Sequence, residues 1–184
     1  MNLLRHSGAH LGLCIFFLLL VANPSVNANP ERKVVGDATP MEFYIKESKY
    51  RRDAVLCVGA TEGKSTNKAR ACFSTSNGRH SSLHGSVRTD QSLSSVSRCA
   101  DLGYCNNELK VAIYVNDRYS LIRVPVRNGS TLEMPTRDLY AFTRKTREPI
   151  TTLRVVTKNS EGIRLSYEFA IDTQAFIDFT ETFR

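Results

Sequence analysis

The sequence predicts a mainly β protein: a single antiparallel domain, sandwich-like or α+β, with two peripheral helices and two disulfides. Three observations carry this expectation. In the second half of the chain apolar residues alternate with polar ones over long stretches, the pattern of strands buried on one face. Asn, Asp, Gly and Ser clusters punctuate those stretches. Four cysteines, Cys57, Cys72, Cys99 and Cys105, lie behind a segment that reads as an export signal.

That segment is residues 1–28. Arg5 supplies a positive start, residues 11–22 form an uncharged apolar run, and Val26 and Ala28 place small residues at −3 and −1 of a cleavage site, so the expected first mature residue is Asn29. A membrane span needs about 20 apolar residues. Here Asn23 and Pro24 break the run after 12, so no transmembrane span is expected in the mature chain. Cys14 has apolar residues on both sides, Leu13 and Ile15, and belongs to the apolar run rather than to a lipoprotein signal. The expected location is therefore periplasmic or secreted.

Of the 184 residues, 156 remain after removal of 28, enough for one domain with its own core. Residues 29–40 mix charge, Gly and Pro and are expected to form a flexible leader; residues 41–184 form the domain. The removed segment carries one Arg and no acid, so the net charge falls from +7 to +6. A basic exported domain is drawn to anionic surfaces such as lipid headgroups or glycans, although solubility accounts for such a charge equally well. Nucleic acid is not the expected partner.

Four cysteines in an oxidising compartment predict two disulfides. Three connectivities are formally open; near neighbours, Cys57 with Cys72 and Cys99 with Cys105, are the preferred pairs because they close small loops around local turns. The spacings lack the C-x2-C knuckles of structural zinc. No metal or other cofactor is expected.

Met41 to Ile45 suggest a first strand, followed by the cationic run Lys46, Lys49, Arg51 and Arg52. Ala54-Val55-Leu56-Cys57-Val58 and residues 69–74 suggest a hairpin that sets Cys57 opposite Cys72. Residues 74–98 are dominated by Ser, Thr, Gly, Asn and Arg and read as a long loop or a weakly held edge. Beyond Cys105 the alternation is regular: Leu109, Val111, Ile113 and Val115; a turn at Asn116-Asp117; residues 119–126; Leu153, Val155 and Thr157; then Ile163, Leu165, Tyr167, Phe169 and Ile171. Burial of those last five side chains would contribute on the order of 10 kcal/mol before entropy. Two helices follow from caps and period. Thr136 precedes the first, over residues 137–146, and Asp172 precedes the second, where Phe176, Phe179 and Phe183 form one core-facing stripe.

Candidate chemistry is sparse. The stretch Gly59-Ala60-Thr61-Glu62-Gly63-Lys64-Ser65-Thr66 has three residues between its glycines where a phosphate-binding loop needs four, and it reads as a hairpin loop. No G-x-S-x-G elbow is present, and no carboxylate pair is assignable to glycoside cleavage. His80 and His84 stand four apart in a polar stretch. Two histidines, basic charge and disulfides would suit a secreted ribonuclease working by general acid and base transfer. Both sit in one flexible-looking segment, however, so solvated loop histidines are the simpler expectation. Asn128-Gly129-Ser130 fits a glycosylation sequon. A second basic group gathers at Arg137, Arg144, Lys145 and Arg147, on or after the first helix.

The order Cys57, Cys72, then Cys99-Ala-Asp-Leu-Gly-Tyr-Cys105, followed by a short helix, the hairpin LRVVTKNSEGIRLSYEFAI and a terminal amphipathic turn, resembles exported bacterial proteins of the invasion-associated locus B family. The chain departs from that pattern where Tyr104 separates Gly103 from Cys105, in the short interval between the cysteine pairs, and in having no tryptophan before Cys57. The resemblance implies a β-rich periplasmic or surface protein without catalytic residues.

The leading expectation is a non-enzymatic exported binding protein. It engages an anionic partner or another exported protein through Lys46, Lys49, Arg51 and Arg52 or through Arg137, Arg144, Lys145 and Arg147. The alternatives are a secreted hydrolase using His80 and His84, and an inhibitor or immunity partner of a secreted enzyme.

Overall fold

The computed structural model describes residues 30–48, 51–65, 67–76, 83–99 and 105–182, so the expected signal peptide lies outside the described residues. In chain order the elements are β1 (Lys33–Val35), β2 (Met41–Ser48), β3 (Arg51–Gly59), β4 (Ala69–Ser76), β5 (Leu83–Thr89), β6 (Val96–Cys99), β7 (Cys105–Val115), β8 (Arg118–Arg127), β9 (Thr131–Met134), α1 (Arg137–Thr143), β10 (Ile150–Lys158), β11 (Arg164–Asp172) and α2 (Thr173–Thr182). All strand pairs are antiparallel, in the order β1-β2-β3-β4-β5-β9-β8-β7-β10-β11; β6 and β10 lie end to end along one edge of β7. The protein is mainly β, and its strands form one continuous sheet rather than two separate ones.

The sheet curls until β11 returns against β3. The loop that resembled a phosphate cradle fastens this closure. Thr61 N donates to the carbonyl of Glu168 (2.7 Å), Glu168 N donates to Ser65 Oγ (3.0 Å), and Lys64 Nζ lies 3.0 Å from the Glu168 carboxylate. The polar loop therefore satisfies backbone groups that an edge strand would otherwise leave open.

Alternation places Leu56, Phe73, Val87, Leu132, Val124, Val111, Ile113, Leu153 and Val155 in one core. In β11, Leu165, Tyr167, Phe169 and Ile171 are buried as expected, but Ile163 is 55% exposed because it precedes the strand, in the turn that Asn159 organises. The expected long loop at 74–98 is also corrected: it contains β5 and β6. β5 is central, between β4 and β9, yet its inward positions are Leu83, Gly85, Val87 and Thr89, so only two carry aliphatic side chains and the strand's alternation is broken at Gly85. Within the expected leader, residues 33–35 pair with β2, and Gly36 (φ 98°) turns the chain so that Ala38 N donates to Asp172 Oδ2 at 2.7 Å.

Asp172 caps α2 as the sequence predicts, its Oδ1 accepting from Ala175 N at 2.8 Å. The helix is not peripheral in its packing. Phe176 is fully buried, edge-on to Phe73 at 5.0 Å, and Phe179 meets Phe43 at 6.4 Å; Phe183 lies outside the described residues. Thr136 does not cap α1 with its side chain. Its hydroxyl instead donates to the carbonyl of Leu83 (2.7 Å), tying the helix to β5 at a place where Gly85 leaves room for it.

One expected disulfide is present. Cys57 and Cys72 stand opposite each other on β3 and β4, Cα atoms 4.1 Å apart, and are bonded. Cys99 and Cys105 are likewise opposed, on β6 and β7, but their side chains lie outside the described residues.

Candidate anion-binding face

The first predicted basic group sits at the β2–β3 hairpin tip and is interleaved with acids. Lys46 stands opposite Asp53, and Arg52 pairs with Glu47 at 3.2 Å. Lys49 and the side chain of Arg51 lie outside the described residues. In the second group Arg144 is engaged by Glu181 (3.5 Å) and by Tyr140, Arg137 and Arg147 are exposed, and Lys145 stands at the edge of a cavity under α1. His84 is exposed on β5, in an open depression shared with Arg123 and with the ion pair Arg127–Glu133. His80 lies outside the described residues.

Sequence inspection missed a larger basic surface. On the outer face of β8-β7-β10-β11 the register builds transverse rows. One row runs Tyr119, Tyr114, Arg154, Glu168, with the tyrosine rings 5.1 Å apart and the Arg154 guanidinium 4.2 Å from the Tyr114 ring centre. The next runs Leu121, Ala112, Val156, Ser166. Beyond these rows Arg123 stands opposite Lys110 and Lys158 opposite Arg164, all four exposed. The two pairs share the face but are not adjacent: the pairing of β7 with β10 ends at Ala112 and Val156, and beyond it residues 92–94 lie along β10, Ser94 N donating to the Lys158 carbonyl at 3.2 Å.

Among the described residues none of these four cations has an ion-pair partner. Glu168, the carboxylate on the same face nearest Arg154, is held by Lys64 from the sheet-closing loop. Like charges directly opposed across strands destabilise a sheet, by roughly the 0.2–1 kcal/mol that opposite charges contribute. Two such pairs on one face therefore cost stability and concentrate positive potential. The signal was present in sequence only as single cations at alternate positions of strands that pair later.

No group of three or more metal-ligating side chains occurs among the described residues, and no described helix is long and apolar enough to cross a membrane. Comparison with known family models, curated proteins and solved structures finds no match.

Proposed function

We propose that this protein is an exported, non-enzymatic binding protein that engages a linear acidic polysaccharide with the outer face of β8-β7-β10-β11. The observation that carries this is the pair of like-charged cross-strand contacts, Lys110 with Arg123 and Lys158 with Arg164, whose repulsion no ion pair offsets among the described residues. Separated cation pairs on one face suit a repeating anionic chain. A lipid surface fits less well, since Leu121, 47% exposed, and Tyr119 are the large apolar side chains exposed on these rows. Single-stranded nucleic acid wants open aromatic faces, and the Tyr114 ring is already covered by Arg154 and Tyr119.

A second disulfide belongs to the same proposal. A second bridge between Cys99 and Cys105 is supported by their opposed placement, which repeats that of Cys57 and Cys72. Two bridges are in turn what an exported chain resembling the invasion-associated locus B family would carry. Alkylation of the unreduced protein that spares the cysteines at 57, 72, 99 and 105 is the expected result; labelling at 99 or 105 would refute the second bridge.

The binding proposal is tested with Lys110→Glu and Arg164→Glu, each of which converts a repelling pair into an attracting one. Both variants should melt no lower than the parent yet elute from immobilised heparin or polygalacturonate at clearly lower salt. Unchanged elution refutes the site. Retention of the parent by phosphatidylglycerol vesicles but not by either polysaccharide would replace the glycan with a membrane. Ribonuclease activity lost on changing His80 and His84 to Ala would establish the hydrolase instead.

A further inference from the structure

Between α1 and the inner face of β7 and β8 lies a cavity of about 200 Å³. Its walls include Ile113 and Val115 from β7, Ile122 from β8, Met134 from β9, Leu139 from α1 and Leu153 from β10. Among the described side chains the ionisable residues that line it are Arg118, at the start of β8, and Lys145, just after α1. Both are exposed, whereas Ile113, Val115, Leu139 and Leu153 are all at least nine-tenths buried. The charges therefore mark the mouth and the hydrocarbon marks the floor. Ser120 adds one hydroxyl to the lining, and no carboxylate contributes to it among the described side chains.

A second cavity, about 500 Å³ beside β1 and α2, has the opposite character. It carries Asp37, Asp172 and Asp178, and Asp172 already accepts backbone N–H groups from Ala38 and Ala175. The cavity under α1 differs from it in combining an apolar floor with charges that, among the described side chains, are all positive.

We propose that the cavity under α1 is a binding site for a short amphiphilic anion, its hydrocarbon tail among Ile113, Leu139 and Leu153 and its carboxylate or phosphate head between Arg118 and Lys145. At about 30 Å³ per non-hydrogen atom, close to the share of a water molecule in the liquid, 200 Å³ holds a tail of about seven carbons. Burial of that tail supplies affinity, and charge-assisted hydrogen bonds to the head select the sign of the ligand. The site opens on the inner side of the sheet and is separate from the cationic pairs of the outer face, so it does not rest on glycan binding.

The test uses octanoate, octyl phosphate, 1-octanol and octylammonium at concentrations below micelle formation, titrated calorimetrically and followed by the Met134 methyl NMR signal. Octanoate or octyl phosphate should bind, shift that signal, and bind at least about tenfold more tightly than octanol or octylammonium. Which anion binds more tightly distinguishes a carboxylate source from a phosphate source. Lys145→Gln and Arg118→Gln should each weaken the anion about tenfold while leaving octanol unchanged. Ala141→Trp, made at an exposed position on the cavity rim, should block all of these ligands in a protein that still unfolds cooperatively. Equal binding of octylammonium and octanoate, or binding that leaves the Met134 signal in place, overturns the proposal. Heparin retention should persist in Lys145→Gln, and octanoate binding in Lys110→Glu, so the two proposals fail separately.

Discussion

Removal of the Cys57–Cys72 bridge by the double substitution Cys57→Ala, Cys72→Ala should destabilise the protein by about 3 kcal/mol. The two residues are separated by 15 positions. Loop-closure entropy gained by the unfolded chain on releasing a loop of that length amounts to about 3 kcal/mol at room temperature. The native state should change little. Strand register is held on both sides of the bridge, by β2 against β3 and β5 against β4, and residues 60–65 remain fastened to β11 through Thr61 and Ser65. For a chain of this size the loss corresponds to about 6–12 °C in Tm. Urea unfolding should show a lower midpoint and a slightly larger m value, because the released unfolded chain expands. Ser65→Ala removes the acceptor of the Glu168 N–H and should cost about 1 kcal/mol alone. It should cost less in the bridge-free background if the bridge pre-positions the loop that carries Ser65. A loss under 1 kcal/mol with unchanged m would refute the entropic account and leave the bridge without a role in closing the sheet.

Phe176→Ala should cost about 3–5 kcal/mol, read as a shift in urea midpoint, because it empties a fully buried site against Phe73 and undocks α2. Gly85→Ala should also destabilise, by about 1–3 kcal/mol, since a β-carbon there would stand 2.7 Å from Thr136 Cγ2 and press α1 off β5; restored stability in Gly85→Ala, Thr136→Ser would show that this contact is the cause. Burial pushes the Tyr167 phenol above its ordinary value of 10.0, the Thr89 hydroxyl opposing and the Asp90 charge adding to the shift. The unfolded chain therefore loses this proton before the folded one does, and the contribution of Tyr167 to stability, complete below about pH 10, falls as pH rises beyond it. Tyr167→Phe should remove that part of the alkaline decline, measured as the difference in unfolding free energy between variant and parent across the range.

Legibility of the fold followed the size of inward side chains. β11 was plain from Leu165, Tyr167, Phe169 and Ile171, and the bridge between β3 and β4 from Cys57 and Cys72. β5 was hidden because the close approach of α1 demands Gly85 where an aliphatic residue would have marked a strand. The hydroxyl of Thr136 pointed to a cap and serves Leu83 instead, a choice made by tertiary proximity. Basic runs drew attention to residues 46–52 and 137–147, whereas cations spread from Lys110 to Arg164 left no local trace. Only strand order and register bring Lys110, Arg123, Lys158 and Arg164 onto one face as two opposed pairs.

The contrast between the two ends of the same sheet bears on why those pairs exist. At the β2–β3 end, charges across neighbouring strands are matched: Lys46 faces Asp53, Arg52 faces Glu47, and Glu42 takes both Arg32 and Arg70. Even where Arg70 stands opposite Arg88, Glu42 compensates it. Matched pairs of this kind stabilise slightly and leave little net field. At the β7–β11 end the same architecture pairs Lys110 with Arg123 and Lys158 with Arg164, and Lys64 neutralises Glu168. Folding gains nothing from that arrangement, because each repulsion is relieved when the chain unfolds. It is relieved in the folded state only when an anion lies across these pairs, so a polyanion should raise the melting temperature of the parent and do so less in Lys110→Glu, where the repulsion with Arg123 is already gone and only that between Lys158 and Arg164 remains.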